Sequence, residues 1–392
     1  MKMSIELSEG NTKRRVVLLI VVFVITFAAF GYGINSLVSM EPGFTEITVL
    51  SSNQPSCGKD FTFYYNVGAG ETSATEEYKA LRTLYTRTAQ ESYQIFNADV
   101  EVEGCYNLWY ANAHVNETVT IEPALYGAFA LLEESGARYH YLAPMYEMYF
   151  SLFQCMSDQE TVDYDPYSNE ELREFYEETA VFINDPSAVK IELFEDNKIR
   201  ISVSGAYLDF AKENGITRFV DLGWMKNALI ADHMAAVLAE NGYTAGVLMS
   251  YDGFMRGLGN SKGAEYSLTV SHREGTVVSD VGALHFTGEM SGVYLHDYPV
   301  GNGDGGNYYV RDDGQIRHPF VEPSTGLCKS ALPEIAAFSP SLSCAEIALK
   351  IAPVYIAGSF DKEAGAALEL EGITVYYCEE GKLRRGGEEG IK

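Results

Sequence analysis

Seven histidines, six cysteines and one glycine-rich stretch are where catalytic or metal chemistry would first be sought in this chain. His114, His140, His233, His272, His285, His296 and His318 are scattered, and none is followed by another four residues on. No helix face therefore presents two imidazoles to one metal ion. Cys57, Cys105, Cys155, Cys328, Cys344 and Cys378 are widely spaced without a C-x-x-C pair, which argues against a zinc site. Gly301-Asn-Gly-Asp-Gly-Gly-Asn307 resembles a calcium or phosphate loop superficially. It lacks the D-x-[DN]-x-[DN]-G register and the downstream Glu, and reads as a flexible loop. No G-x-x-x-x-G-K-[ST] loop, G-x-S-x-G elbow or H-E-x-x-H helix occurs. Generic motifs alone assign no activity.

The elements that would position any site read as α+β. Phe61–Val67 is a strand, followed by a helix from Thr75 to about Phe96 with Tyr78, Leu81, Tyr85, Ala89 and Ile95 roughly on one face. Pro123 opens a second helix that ends near Gly136. The aromatic stretch Tyr139, Tyr141, Tyr146, Tyr149, Phe150 and Phe153 reads as core rather than ligand lining, and the acidic residues 157–178 as a solvated face. Lys190–Ser204 is a hairpin turning at Asp196-Asn197. A helix spans about Met225–Glu240, stopped by Gly242, and Ala245–Met249 is a short buried strand. Tyr308–Arg311 and Gln315–Phe320 form a hairpin around Asp312-Asp313-Gly314. A last helix runs from about Ser343 into Pro353.

The 392 residues carry 28 Lys+Arg against 55 Asp+Glu, a net charge of −27. Phosphate binding needs clustered basic residues, and outside the N-terminus there are none, so a nucleic-acid partner is excluded. With 46% hydrophobic and 21% charged residues, the composition is globular. Residues 1–15 read as a cytoplasmic N-terminus ending in Lys13-Arg14-Arg15, and 16–40, a stretch without charge, as a transmembrane anchor or signal segment. The basic triplet directs the N-terminus inward and the remaining chain outward, giving a single-pass protein of the cell membrane whose C-terminal domain lies outside the cytoplasm. Residues 41–58 read as a linker, 59–380 as the main domain and 381–392 as a polar tail. Outside the cell the cysteines are either disulfides, with fifteen possible full pairings, or buried thiols.

Three segments, in order, carry a family resemblance. Val220-Asp-Leu-Gly-Trp-Met-Lys-Asn-Ala-Leu-Ile-Ala-Asp232 resembles the "iDLGGIAKGYAVD" segment of the FAD:protein FMN transferase (ApbE) family, and Leu248-Met-Ser-Tyr-Asp-Gly-Phe-Met-Arg-Gly-Leu-Gly259 its "NLGGNIRALG". His318-Pro-Phe-Val-Glu-Pro-Ser-Thr-Gly326 is similar to "HHILDPRTG", with Cys344-Ala-Glu-Ile-Ala-Leu-Lys350 in the place of "ADALST". More loosely, Leu108–Asn112 resembles "ISRLN", and Gly136–Pro144 sits where the family has "GGAFDPTVGP". The resemblance implies the ApbE fold over about residues 60–360. It also implies FAD as cofactor, Mg²⁺ at the pyrophosphate, and a partner protein that receives FMN on Thr or Ser. Carried onto this chain, it gives Asp221, Trp224, Lys226, Asn227, Asp252, Phe320 and Tyr139 as cofactor-binding, Glu346 as the metal ligand, and His318 and Lys350 as the catalytic positions.

The departures from the pattern are chemical. Glu346 replaces the family's Asp, and Lys350 its metal-binding Thr; an ammonium cannot ligate Mg²⁺ and would instead pair with Glu346 at i, i+4. Pro319 replaces the His before "ILDP", Trp224 the second Gly of the first motif, and Asp252-Gly253 the paired glycines of the second. Asp221 reads equally as a helix-entry cap or a ligand contact, and Asp232 as a structural acceptor. Together these changes imply a flavin-binding, transferase-like protein with a degenerate Mg²⁺ site. An active FMN transferase and a partner-binding ectodomain without flavin are the alternatives. The family's target motif, D-x-x-[ST]-G-A-[ST], is matched here only by Ser204-Gly-Ala-Tyr207, so the chain is not evidently its own substrate.

Overall fold

The computed structural model describes residues 21–23, 25–26, 40–70, 72–259, 265–300 and 307–386. Most of the 16–40 stretch, all of the 301–307 loop but its last residue, and residues 387–392 lie outside these. Among the described residues no helix is long and apolar enough to cross a membrane.

The chain divides into a smaller unit, residues 1–43 and 67–80, and a larger one, 44–66 and 81–392. In the smaller, the Met40 N–H donates to Thr75 Oγ1 at 2.7 Å and the Gly68 N–H to Glu77 Oε2 at 2.6 Å. The larger is organised by an eight-stranded sheet. Its strands, in spatial order, are Gly43–Glu46, Phe61–Val67, Gly246–Ser250, Phe254–Leu258, Glu289–His296, Glu334–Ser339, Thr374–Glu379 and Lys382–Arg385. Every pairing with a resolved register is antiparallel. The spatial order is also the chain order, so helices enter as insertions between neighbouring strands. Helices Lys226–Glu240 and Cys344–Tyr355 pack on this sheet; the second is buried on nearly all sides, consistent with its run of Ala, Ile and Leu.

Among the described residues three smaller β units accompany this sheet, one of them the short pair Tyr309–Val310 with Ile316–Arg317. Val189–Phe194 pairs with Lys198–Val203, turning at Asp196 (φ 61°) and Asn197 (φ 54°), the left-handed pair a tight hairpin requires. Glu265–Glu274 and Val277–Thr287 form a two-stranded ribbon whose Tyr266, Val270 and Phe286 pack against Val247, Met255 and Phe338 of the sheet.

The mixed α+β class, the helices at 74–95, 123–135 and 226–240 and both hairpins agree with the sequence reading. Three features differ. The linker contains the strand Gly43–Glu46, and the expected polar tail contains the strand Lys382–Arg385, whose Leu383 lies opposite Cys378. The acidic stretch 157–178 is not wholly a solvated face. Asp165 within it is completely buried, held by Arg317 Nε at 2.9 Å and Arg311 at 3.1 Å. All six cysteines are free thiols, four of them buried.

Candidate functional site

One cavity of about 350 Å³ collects residues from six separate segments of the larger unit. Part of its lining is aromatic. Phe150 and Phe153 come from a 3-10 turn that continues the helix Ala143–Tyr149, and Trp224 and Phe320 meet edge to face at 5.5 Å. Tyr139 stands behind Trp224, again edge to face at 5.6 Å, and Tyr355 behind Phe320 at 5.1 Å. Such perpendicular packing fixes ring planes more firmly than area burial alone. The polar part of the lining consists of Asp60, Lys226, Asn227 and Asp252.

Local backbone geometry explains how Trp224 and Lys226 reach the cavity. Asp221 accepts the Gly223 N–H at 2.9 Å, and the Asp221 N–H donates to the His140 carbonyl at 2.8 Å. Arg218 braces the turn by pairing with Asp221, Asp99 and Glu147. Gly223 has φ 51°, and a Cβ there would fall 2.2 Å from the Tyr146 ring, so only glycine allows the chain to turn so close to the core. Asp252 occupies the turn between the strands Gly246–Ser250 and Phe254–Leu258. The following Gly253 (φ 95°) lies so near the Tyr294 carbonyl that a Cβ would come within 1.9 Å of its oxygen.

Electrostatics divide the polar lining. Asp252 Oδ2 accepts from Asn227 Nδ2 at 2.9 Å, while its Oδ1 is buried without a partner. Burial raises its carboxyl to about 6, and the charge of Asp60 adds to the effect. Burial raises Asp60 as well, against the pull of Lys226 and Lys59. Lys226 forms no ion pair with a described residue, leaving its ammonium available to an anionic ligand group. The indole N–H of Trp224 is also buried and unpartnered. Two of the lining residues, Asp252 and Trp224, thus carry a buried acceptor and a buried donor without partners, beside aromatic rings packed edge to face. A flat heterocycle carrying both N–H and C=O groups satisfies that combination.

Of the residues carried from the resemblance, Trp224, Lys226, Asn227, Asp252 and Phe320 line this cavity, and Tyr139 supports it from behind. Asp221 shapes the turn rather than the wall. His318 lies beneath Phe320, ring centroids 5.6 Å apart, fully buried with Nδ1 unpartnered. Burial and the charges of Arg273 and Arg317 lower its imidazole to about 3. A neutral ring of this kind stabilises the fold above its ordinary value of about 6.5, and that contribution is lost as pH falls toward 3. His318→Leu should therefore flatten the acid limb of the stability profile, recovering about 2 kcal/mol at pH 5 relative to the wild type's own loss from pH 7. Urea midpoints at the two pH values check this.

The expected metal pair is placed elsewhere. Glu346 and Lys350 do not line the cavity. The Glu346 carboxylate accepts the Ser343 N–H at 2.7 Å while Ser343 Oγ accepts the Glu346 N–H, a reciprocal cap. Lys350 is exposed and pairs with Glu371, not with Glu346 as its spacing suggested. Asp232, as expected, is a structural acceptor: it takes the Cys344 and Ala345 N–H groups at 2.9 Å each and lies 3.4 Å from Arg256. Carboxylates of the chain itself, Glu346 and Asp232, thus accept the N-cap and first backbone N–H groups of the helix Cys344–Tyr355. Ser204 is likewise committed, as the N-cap of the helix Gly205–Glu213, and Tyr207 is fully buried.

Asp60, Phe150, Phe153, Gln154, Tyr251, Asn307, Tyr308 and Pro319 also line the cavity and were not anticipated. For Glu346 a signal was present. Ser343-Cys-Ala-Glu346 has the S-x-x-E form of a capping box.

With the geometry established, the class of fold is clear: the chain has the fold of the ApbE flavin transferases. It superposes on the ApbE protein of Thermotoga maritima with a TM-score of 0.59 and 14% identity, covering 88% of this chain and 97% of that one. For the flavin transferase ApbE of Vibrio cholerae the values are 0.57 and 14%, over 88% and 97%. For the flavinyl transferase ApbE of Pseudomonas stutzeri they are 0.52 and 12%, over 88% and 95%. No family model matches the sequence, and no curated protein matches it either.

Proposed function

We propose that this protein is a flavin-binding relative of the ApbE transferases. On this reading it holds FAD in the cavity between Trp224, Phe320 and Asp252 without using the family's Mg²⁺ site. The observation that carries the proposal is the convergence of five positions from the three resemblance-bearing motifs on one aromatic cavity, two of them with a buried acceptor or donor that lacks a partner. A cavity of this size falls near the lower end of small-molecule sites, roughly 300–1,000 Å³, and accommodates the ring system rather than a whole dinucleotide. In this reading Trp224 and Phe320 sandwich or edge the ring, Asp252 accepts a ring N–H, and Lys226 meets the phosphate. Flavin-phosphate transfer would need electrostatic stabilisation of the pyrophosphate. Here Lys226 is the cavity's basic residue, which favours binding over turnover.

The basic triplet before residues 16–40 supports an anchored domain outside the cytoplasm. There the acidic surface faces solvent.

Titration of the full chain with FAD, followed by tryptophan quenching, tests the proposal. Saturable binding that changes by less than about twofold on chelation of Mg²⁺ is expected, with the quenching reduced in Trp224→Phe. Incubation with a peptide bearing the target motif should transfer no FMN. Absence of flavin binding, or binding only with Mg²⁺, would overturn the reading.

A further inference from the structure

We propose that His272, Glu334 and Cys378 form a second ligand site, one that takes a borderline divalent metal ion of the Zn²⁺ type. Their ligand atoms all lie within 4.8 Å of one another. None of the three lines the flavin-sized cavity.

The sheet register builds two-thirds of the cluster. Ile335 lies opposite Tyr377, so the next step of the same antiparallel ladder sets Glu334 opposite Cys378, with both side chains on one face. The third ligand comes from the ribbon. His272, on the strand Glu265–Glu274, reaches across and places Nδ1 2.7 Å from Glu334 Oε1. Glu334 and Cys378 are buried, and His272 is half-buried, which leaves one side of the cluster open to an incoming ion.

The donor chemistry is selective. Imidazole nitrogen, thiolate sulfur and carboxylate oxygen together suit Zn²⁺ and Co²⁺ rather than Mg²⁺ or Ca²⁺, which prefer oxygen alone. Three protein ligands leave a fourth position for water. Metal–ligand bonds of ~2.0–2.3 Å place tetrahedral donors roughly 3.3–3.7 Å apart, so movements of about 1 Å convert the present arrangement into a coordination shell. The outer shell is already in place, because Tyr298 Oη donates to Glu334 Oε2 at 2.9 Å and orients the carboxylate. Burial and the Glu334 charge push the Cys378 thiol up to about 11, so binding must release its proton to solvent. Glu334 lies 62 residues from His272 in sequence and Cys378 lies further on still, which is why cysteine spacing argued against zinc. An ion here would clip the ribbon to the main sheet.

Cobalt titration of the chelator-treated full chain tests the site. The expected result is one Co²⁺ per chain, with a thiolate-to-cobalt charge-transfer band and the intense ligand-field bands of tetrahedral geometry. Zn²⁺ should displace it. Cys378→Ser should abolish the charge-transfer band, and His272→Gln should weaken binding at least about tenfold, with metal-free urea midpoints confirming that both variants fold. Paired replacement of Cys105 and Cys155 by Ser, the two half-buried thiols, should leave the spectrum unchanged. No saturable binding, or a charge-transfer band that persists in Cys378→Ser, would overturn the proposal. So would a band lost with Cys105 and Cys155.

Discussion

Replacing Asp165 with Ala is expected to destabilise the protein by about 3–5 kcal/mol, the range for removing one partner from a buried ion pair. The residue has no solvent exposure and accepts from Arg317 Nε at 2.9 Å, Arg311 at 3.1 Å, Ser168 Oγ at 3.1 Å and the Tyr167 N–H at 3.1 Å. Truncation would strand the guanidinium of Arg317, stacked on the Tyr167 ring at 4.2 Å and almost fully buried, while Arg311 would keep Asp158 at 3.5 Å. Against a typical total of ~5–15 kcal/mol, such a loss is severe. Its consequences reach the cavity, because the anchored hairpin Tyr309–Arg317 lies between Tyr308 and Pro319-Phe320, all three of which line it. Urea unfolding should show a lower midpoint with an unchanged slope, and FAD affinity should fall in parallel. Asp165→Asn retains the shape and should lose less. A midpoint shift equivalent to under about 1 kcal/mol in the Ala variant would show that the arginines find water instead.

That Asp165 matters could not be read from its neighbourhood in sequence. Its stretch is dense in acids, and the partners lie some 150 residues away. Elements governed by local chemistry were legible. Asp196-Asn197 specified a hairpin, Pro123 and Gly136 bounded a helix, and both are found. The strands Glu289–His296, Glu334–Ser339 and Thr374–Glu379 were not, because each is defined by long-range pairing and the middle one is buried on both faces, leaving no alternation to detect. The site divides in the same way. Motif positions on the turn before Lys226–Glu240 and at Asp252 line the cavity. Phe150 and Phe153, read as core, turn toward it, whereas Tyr141, Tyr146 and Tyr149 from the same stretch are fully buried. A run of aromatics carries no local mark that says which rings face inward and which face a ligand.

Asp252→Asn should raise stability and weaken flavin binding together. The carboxyl stands near 6 in the folded protein against 3.8 ordinarily, because burial penalises its charge. A carboxyl raised on folding favours the fold while protonated. Its contribution is complete below the ordinary value and is lost as pH rises through about 6. At pH 8 the wild type therefore carries a penalty of about 1–3 kcal/mol, the lower figure allowing for solvent screening of a half-buried residue. The asparagine escapes that penalty while keeping an oxygen for Asn227 to donate to. The variant should be more stable at pH 8, equal or slightly weaker at pH 4, and should lack the wild type's decline between them; chemical unfolding at the two values measures this. The unpartnered Oδ1 is also the acceptor that a ring N–H would use, and replacing a carboxylate acceptor by a neutral amide costs about 1.5–3 kcal/mol, some 10- to 100-fold in affinity. Binding to the wild type should weaken in turn as pH falls below about 6, when the carboxyl gains a proton and ceases to be a charged acceptor. Tighter binding at low pH would instead make Asp252 a donor to a ring carbonyl or nitrogen. The coupling has a physical source. A buried charge that destabilises the empty cavity is relieved by the ligand group that completes it, so stability given up at Asp252 reappears as affinity.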